Sequence, residues 1–204
     1  MLRSPMAKGA AVCLLVLLAA GAGEDRSVRA GTALRMDVEQ LVARAGLVVE
    51  ARVVSTRPVL SASGRIDTEI RLSVRRTFWG EDRGDRVVRL PGGEMPSTGR
   101  GLVVAGMPRL VPGEDALLVL SEEGAEGLRV PVGLAQGHFR LVHDDAGVRR
   151  AVRGGSGLAL ADPRTGALEM GGAGGSWPYA ELAERVERAV AVRLQRQSRP
   201  SAGR

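Results

Sequence analysis

The segment from Ile66 to Phe78 constrains the fold more than any other. Ile66, Thr68, Ile70, Leu72, Val74 and Phe78 share one parity, while Asp67, Glu69, Arg71, Ser73, Arg75 and Thr77 share the other. Side chains alternate faces along a strand, so this predicts a long strand with one buried and one wet face. Arg76 is the one break in the buried series, near the strand end. The segment LVVEARVV (47–54) repeats the pattern, with Leu47, Val49, Ala51 and Val53 opposite Glu50 and Arg52. Pro58 and Gly64 lie between the two segments and predict a hairpin with a loose loop. A half-wet antiparallel sheet is the natural product.

Further strand patterns follow. The charged turn EDRGD (81–85) leads into VVRLP (87–91), which ends at Gly92-Gly93. The next stretch breaks at Met107-Pro108 and turns at Pro112-Gly113, and from Ala116 to Leu120 it is apolar at every position. A run of that kind predicts a strand covered on both faces. Leu128, Val130, Val132 and Leu134 alternate with Arg129, Pro131 and Gly133, which predicts a strand at an edge or with a bulge, since Pro131 has no N–H. HFRLVHDDAGVRRAV (138–152) predicts a hairpin turning at Asp144 to Gly147.

Helices flank these strands. In Met36 to Ala45, Val38, Leu41, Val42 and Ala45 have helical spacing, Asp37 and Glu39 sit near the start, and Gly46 is placed to end it. Residues 177–197 predict a second, amphipathic helix, with Ser176 as N-cap, Pro178 in the first turn and an apolar stripe of Leu182, Val186, Ala189, Val190 and Leu194. Residues 23–35 read as an irregular lead-in. Residues 153–176 read as a glycine-rich loop, with room for a short hairpin at Pro163 to Gly166. Residues 198–204 are expected to be a disordered tail.

The N-terminus reads as a secretory leader over residues 1–22. Arg3 and Lys8 precede an apolar run, Ala10 to Ala20, and Ala20-Gly21-Ala22 supplies small residues for cleavage. The run is shorter than the roughly 20 residues a membrane span needs. The expected location is therefore the periplasm or the medium, with no transmembrane segment after cleavage. The single cysteine, Cys13, falls inside the leader, so the exported chain would depend on its core without disulfides.

Taken in order, a helix, LVVEARV, the long T-x-I-x-L-x-V-x-x-x-F-W-G strand, V-x-L-P-G-G, G-x-P-x-L-x-x-G-E-D-A-L-L-V-L and G-L-A-Q-G-x-F-R-L form a pattern. It resembles a family of uncharacterised secreted bacterial proteins whose core is similar to the netrin-like domain, the OB-type barrel also used by tissue inhibitors of metalloproteinases. The resemblance covers about Met36 to Val142. It implies a mainly-β fold, a small antiparallel OB-like β-barrel over residues 36–152 with an N-terminal and a C-terminal helix. Those inhibitors chelate the zinc of their target through an N-terminal cysteine and are stapled by disulfides. With Cys13 alone, this sequence does not support inhibition by that route.

The candidate chemistry is sparse. His138 and His143, the only histidines, are five apart in one predicted strand and point to opposite faces. A zinc site needs three or four ligands, which only help from Asp144 or Asp145 would approach. No metal or other cofactor is expected. Ser156 lacks the glycine two residues later that a nucleophile elbow needs, and the acidic pairs, such as Glu81-Asp82 and Glu114-Asp115, read as solvated turns. The formal charge is +6 and all basic residues except Lys8 are arginine, but acids are interleaved with them and aromatic residues make up only 2%. Single-strand binders of the OB type stack bases on aromatics, so no nucleic acid is expected as a partner.

The sequence therefore points to an exported, non-enzymatic binding or protein-interaction module with an unknown protein or envelope ligand. Its expected contact surface is Trp79, Gly92, Gly93, Glu94, Met107 and His138, by analogy with barrels that bind through end loops. The alternatives are a protease-directed regulator acting through an exposed loop, and an envelope hydrolase built on the turn from His138 to Asp145.

Overall fold

The computed structural model describes residues 32–82, 84–154, 158–170 and 174–198. The leader, residues 23–31 of the lead-in, Ser156 and the tail beyond Ser198 lie outside them. In chain order the elements are β1 (Thr32–Leu34), α1 (Val38–Ala43), β2 (Leu47–Leu60), β3 (Ile66–Trp79), β4 (Asp85–Pro91), β5 (Gly93–Met95) and β6 (Arg100–Leu102). Then come β7 (Asp115–Leu120), β8 (His138–His143), β9 (Arg149–Arg153), β10 (Ala159–Ala161), β11 (Leu168–Glu169), β12 (Gly175–Pro178) and α2 (Tyr179–Ser198). The fold is mainly β, with a short helix near one end of the described chain and a long helix at the other.

The main sheet has seven strands in the order β12-β9-β8-β7-β2-β3-β4, each antiparallel to its neighbours. It does not close into a barrel, which corrects the expectation drawn from the OB-like resemblance. Leu128 and Pro131, between β7 and β8, make single bridges to Arg89 of β4 and Leu120 of β7 but form no strand, and the residues between β6 and β7 form none either. Pro108 and Pro112 lack the N–H a ladder needs, and Gly106 and Gly113 turn the chain with φ of 75° and 88°. The segment instead packs Met107 and Leu110 against the sheet as irregular chain.

Both faces of the sheet are buried, and β7 shows why its sequence is continuously apolar. Ala116, Leu118 and Leu120 join Val49, Val53, Ile70, Leu72 and Leu90 in a core on one face. Leu117 and Val119 join Phe139, Leu41, Leu182 and Val186 in a second core, under the helices. The C-terminal helix is thus docked: Leu182, Ala183, Val186 and Ala189 are buried, while Leu194 of the predicted stripe is exposed. Among the described residues no helix is long and apolar enough to cross a membrane.

Helix α1 starts where its capping residues put it. The Gln40 N–H donates to Asp37 Oδ1 at 2.7 Å, and the Asp37 N–H donates back to Gln40 Oε1 at 3.1 Å. Gly46 follows the helix as expected, and close approach of a second backbone is what requires a glycine there. Its N–H donates to Leu120 O at 2.8 Å, and a Cβ there would lie 2.4 Å from Glu122 Cα and 2.5 Å from Glu122 N. Gly46→Ala should therefore push two backbones apart at the start of β2 and cost about 1–3 kcal/mol, read as a lower urea midpoint.

Several boundaries shift. β2 runs to Leu60 and so includes Pro58, which the sequence places in a loop; the loop is only Ser61 to Arg65. The last residues of the lead-in form β1, parallel to β10, and the glycine-rich stretch contributes β10, β11 and the start of β12. The hairpin at Pro163 to Gly166 is present. Asp162 Oδ1 accepts from the Arg164 and Thr165 N–H groups at 2.8 and 2.9 Å, and these backbone bonds hold its carboxyl below the usual range. Trp177 and Pro178 lie in β12, so α2 starts at Tyr179. Residues 128–134 form no strand. Leu128 and Pro131 make single bridges, and the chain then turns at Gly133, with φ of 67°.

Candidate functional site

A cleft of about 590 Å³ opens on the face of the main sheet away from the helices. Its floor is Thr68, Ile70 and Leu90 of β3 and β4. One wall is the β5–β6 hairpin, another is the irregular segment from Val103 to Leu110, and Thr56 to Pro58 of β2 form a side. The volume lies in the range of small-molecule sites, and the lining is mainly apolar with two charged side chains, Glu94 and Arg109, besides Arg57, whose guanidinium is taken up by Glu69.

Two glycines let the hairpin fold over the sheet. Gly92 has φ of 102°, its N–H donates to Ile66 O at 2.9 Å, and its carbonyl accepts from Thr68 Oγ1 at 2.7 Å. Gly93 has φ of 142°, and a Cβ there would stand 2.6 Å from Thr68 Oγ1. Both positions require a left-handed backbone and close approach, which glycine alone supplies cheaply.

The structure separates the six residues expected to form one surface. Gly92, Gly93, Glu94 and Met107 meet in the cleft. Trp79 is half-buried against the helix-side core, and the Arg193 guanidinium lies 4.1 Å above its ring. Arg193 also donates to the carbonyls of Val42 and Ala45, so it caps α1 from α2. His138 is at the start of β8, with Nε2 2.5 Å from Glu114 Oε1, outside the cleft lining.

Sequence reasoning missed Thr56, Thr68, Ile70, Leu90 and Arg109 as parts of one site. The reason is a register shift between Val53 and Ser55. Before it, odd-numbered residues of β2 face this side of the sheet; after it, Thr56 and Pro58 do, opposite Ile70 and Thr68. The only sequence trace of it is Val54, an exposed valine that ends the alternating run.

Two acids expected on a wet face are buried. Asp67, with no exposed side chain, is held by Arg65 through Nε at 2.7 Å and Nη2 at 3.0 Å. Glu50 faces α2 and β9. Arg149 Nη2 donates to its Oε1 at 2.6 Å, the Tyr179 hydroxyl donates to its Oε2, and the Arg149 guanidinium lies 4.3 Å above the Tyr179 ring. Burial, then the hydrogen bond to Glu50 and its charge, push the Tyr179 hydroxyl up to about 12, with Arg149 and Arg76 opposing.

Tyr179 is the only tyrosine, so phenolate absorbance reports it alone. Titrating the folded protein should give a midpoint near 12, against about 10 for the denatured chain. The folded state holds this proton more tightly than the unfolded one. The contribution is therefore complete below pH 10 and is lost as pH rises from 10 towards 12. A native midpoint near 10 would contradict the buried hydrogen bond.

Among the described residues no group of three or more His, Cys, Asp or Glu is placed to hold a metal ion. The sequence matches no protein-family model and no curated protein.

Proposed function

We propose that the chain is an exported, non-enzymatic binding module that holds its ligand in the cleft between the β5–β6 hairpin and the outer half of β2. The cleft carries this reading. It is an open, mainly apolar concavity whose lining has one carboxylate, Glu94, and no histidine, serine or cysteine. Such a lining suits recognition better than bond cleavage, which needs a nucleophile or a paired acid and base. The leader pattern supports export to the periplasm or medium. The antiparallel order β7-β2-β3-β4, with the bridges of Leu128 and Pro131 to β4 and β7, supports a netrin-like origin.

The test is a fragment screen followed by amide shifts. Apolar fragments should perturb Thr68, Leu90 and Met107 and leave His138 and Trp79 unmoved. Perturbations gathered elsewhere, or none, would reject the cleft as the binding site.

One observation favours a second reading, a protease-directed regulator. Val103 is 90% exposed, on a segment held at one end by β6 and at the other by buried Leu110. A held, exposed loop that turns just after Val103 is a shape a protease cleft accepts. Incubation with secreted proteases should then give inhibition that Val103→Asp removes.

A further inference from the structure

Strand β2 outruns its neighbour. β7 pairs with Leu47 to Arg52 only, and Val53 adds one bond in each direction, to Glu114 O and from the Gly113 N–H. From Val54 to Leu60 the strand is laddered to β3 alone among the described residues.

The hairpin fixes which backbone groups are left over. The Ser61 N–H donates to Arg65 O at 2.9 Å, so Ser61 and Arg65 face each other as a bonded pair. Bonded and unbonded pairs alternate along an antiparallel ladder. Counting back along the register, Val59, Arg57 and Ser55 exchange bonds with Asp67, Glu69 and Arg71. Leu60, Pro58 and Thr56 turn their backbone groups outward. Pro58 agrees, because a residue without an N–H is tolerated where that group would face away from the ladder. The free edge thus offers carbonyls at Thr56, Pro58 and Leu60 and N–H groups at Thr56 and Leu60. The Thr56 and Pro58 side chains line the cleft whose floor is Ile70 and Leu90.

We propose that the ligand is an extended peptide segment of a partner protein, which adds as a strand to this edge. Its alternate side chains would enter the cleft over Ile70, Leu90 and Met107. The proposal rests on the cleft being the binding site. Charge defines the partner further. Arg109 lines the cleft four residues before Gly113, whose N–H donates to Val53 O, and Glu94 follows Gly93, which abuts Thr68 opposite Pro58. The chain thus brings Arg109 in from the Val53 end and Glu94 from the Pro58 end. Neither makes an ion pair with another described residue. A fitting segment carries an acidic residue at the Arg109 end, a basic one at the Glu94 end, and apolar residues at alternate positions between. A second copy of this chain fits poorly: two-fold pairing centred on the edge would set the two Pro58 carbonyls against each other without a donor.

A random library of linear heptapeptides displayed on phage is selected on the purified chain, and the enriched sequences are made as synthetic peptides. Enrichment should show alternating apolar residues with an acid at one end and a base at the other. N-methylation of the peptide amides that face β2 should weaken binding by about tenfold each, and methylation of the intervening amides should not. Thr56→Pro removes an outward N–H that β3 does not use, so it should weaken binding similarly while leaving the urea midpoint near wild type. If that variant does not fold, the methylation contrast on the wild-type chain decides. Enrichment without alternation, equal sensitivity to both sets of methyl groups, or self-pairing seen as concentration-dependent mass would each overturn the proposal. If fragments still map to the cleft in those cases, the cleft stands as a small-molecule site. If neither fragments nor peptides bind there, both readings fall.

Discussion

Glu50→Ala is expected to destabilise the fold by about 3 kcal/mol and to move the Tyr179 titration from about 12 back towards 10. Glu50 is 7% exposed and is the only acceptor described for both the Arg149 and the Tyr179 bonds. Removing one member of a buried pair leaves the other charge uncompensated, which costs about 3–5 kcal/mol. The lower end applies because the Arg149 side chain is 28% exposed and can turn towards water. Two controls separate charge from packing. Glu50→Gln keeps one acceptor oxygen in the same volume and turns an N–H towards the other partner, so it should cost less. Replacing both Glu50 and Arg149 by methionine should cost less than Glu50→Ala, since it removes the buried charges together and leaves only the Tyr179 hydroxyl without its acceptor. Urea unfolding and phenolate absorbance read the two effects independently. A loss below about 1 kcal/mol for Glu50→Ala would mean that water already shares the carboxylate.

That cluster shows what the sequence could and could not reveal. The alternation around Glu50 and Arg52 correctly marks β2, but it assigns both residues to water. Parity says which face a residue is on; it does not say what covers that face. Here α2 and β9, more than 90 residues further along the chain, cover it at Glu50. The continuous apolar run of β7 did carry that information, because only a doubly covered strand lacks polar positions throughout. The same logic applies to the cleft. Gly92 and Gly93 are visible as a turn, and Met107-Pro108 as a break. Thr56 and Arg109 enter the site only through the register shift after Val53 and the irregular return to β7. Neither has a periodic signature. The open sheet has a trace in Pro131, which has no N–H, so that the stretch from Leu128 to Pro131 makes only single bridges to β4 and β7 in place of a ladder.

Phe139→Ala is expected to cost about 3–5 kcal/mol, the largest single loss from the helix-side core. Phe139 is completely buried in β8, opposite Leu117, and is among the largest fully buried side chains. Trp177 of β12 meets it edge-on at 6.0 Å between centroids, and the Arg153 guanidinium lies 5.6 Å above its ring. Its neighbours in that core are largely leucine, valine and alanine on strands and helices fixed from other directions, so a cavity there cannot collapse fully. The loss should also be local before it is global. Phe139 supports β12, and β12 leads directly into α2, so amide exchange in Trp177 to Val186 should rise more than exchange in β2 and β3. Phe139→Leu fills most of the space and should recover more than half of the stability. Phe78→Ala offers the contrast, because Phe78 is only half-buried and should cost less than Phe139→Ala. If the two alanine variants lose equal stability, α2 is held on the sheet mainly by its ion pairs, Arg185 with Glu39 and Arg76 with Glu187, and raised salt should then loosen the helix. If the expected difference is found, salt should leave α2 in place, because its attachment then depends on the apolar contact between Phe139, Trp177 and Leu182.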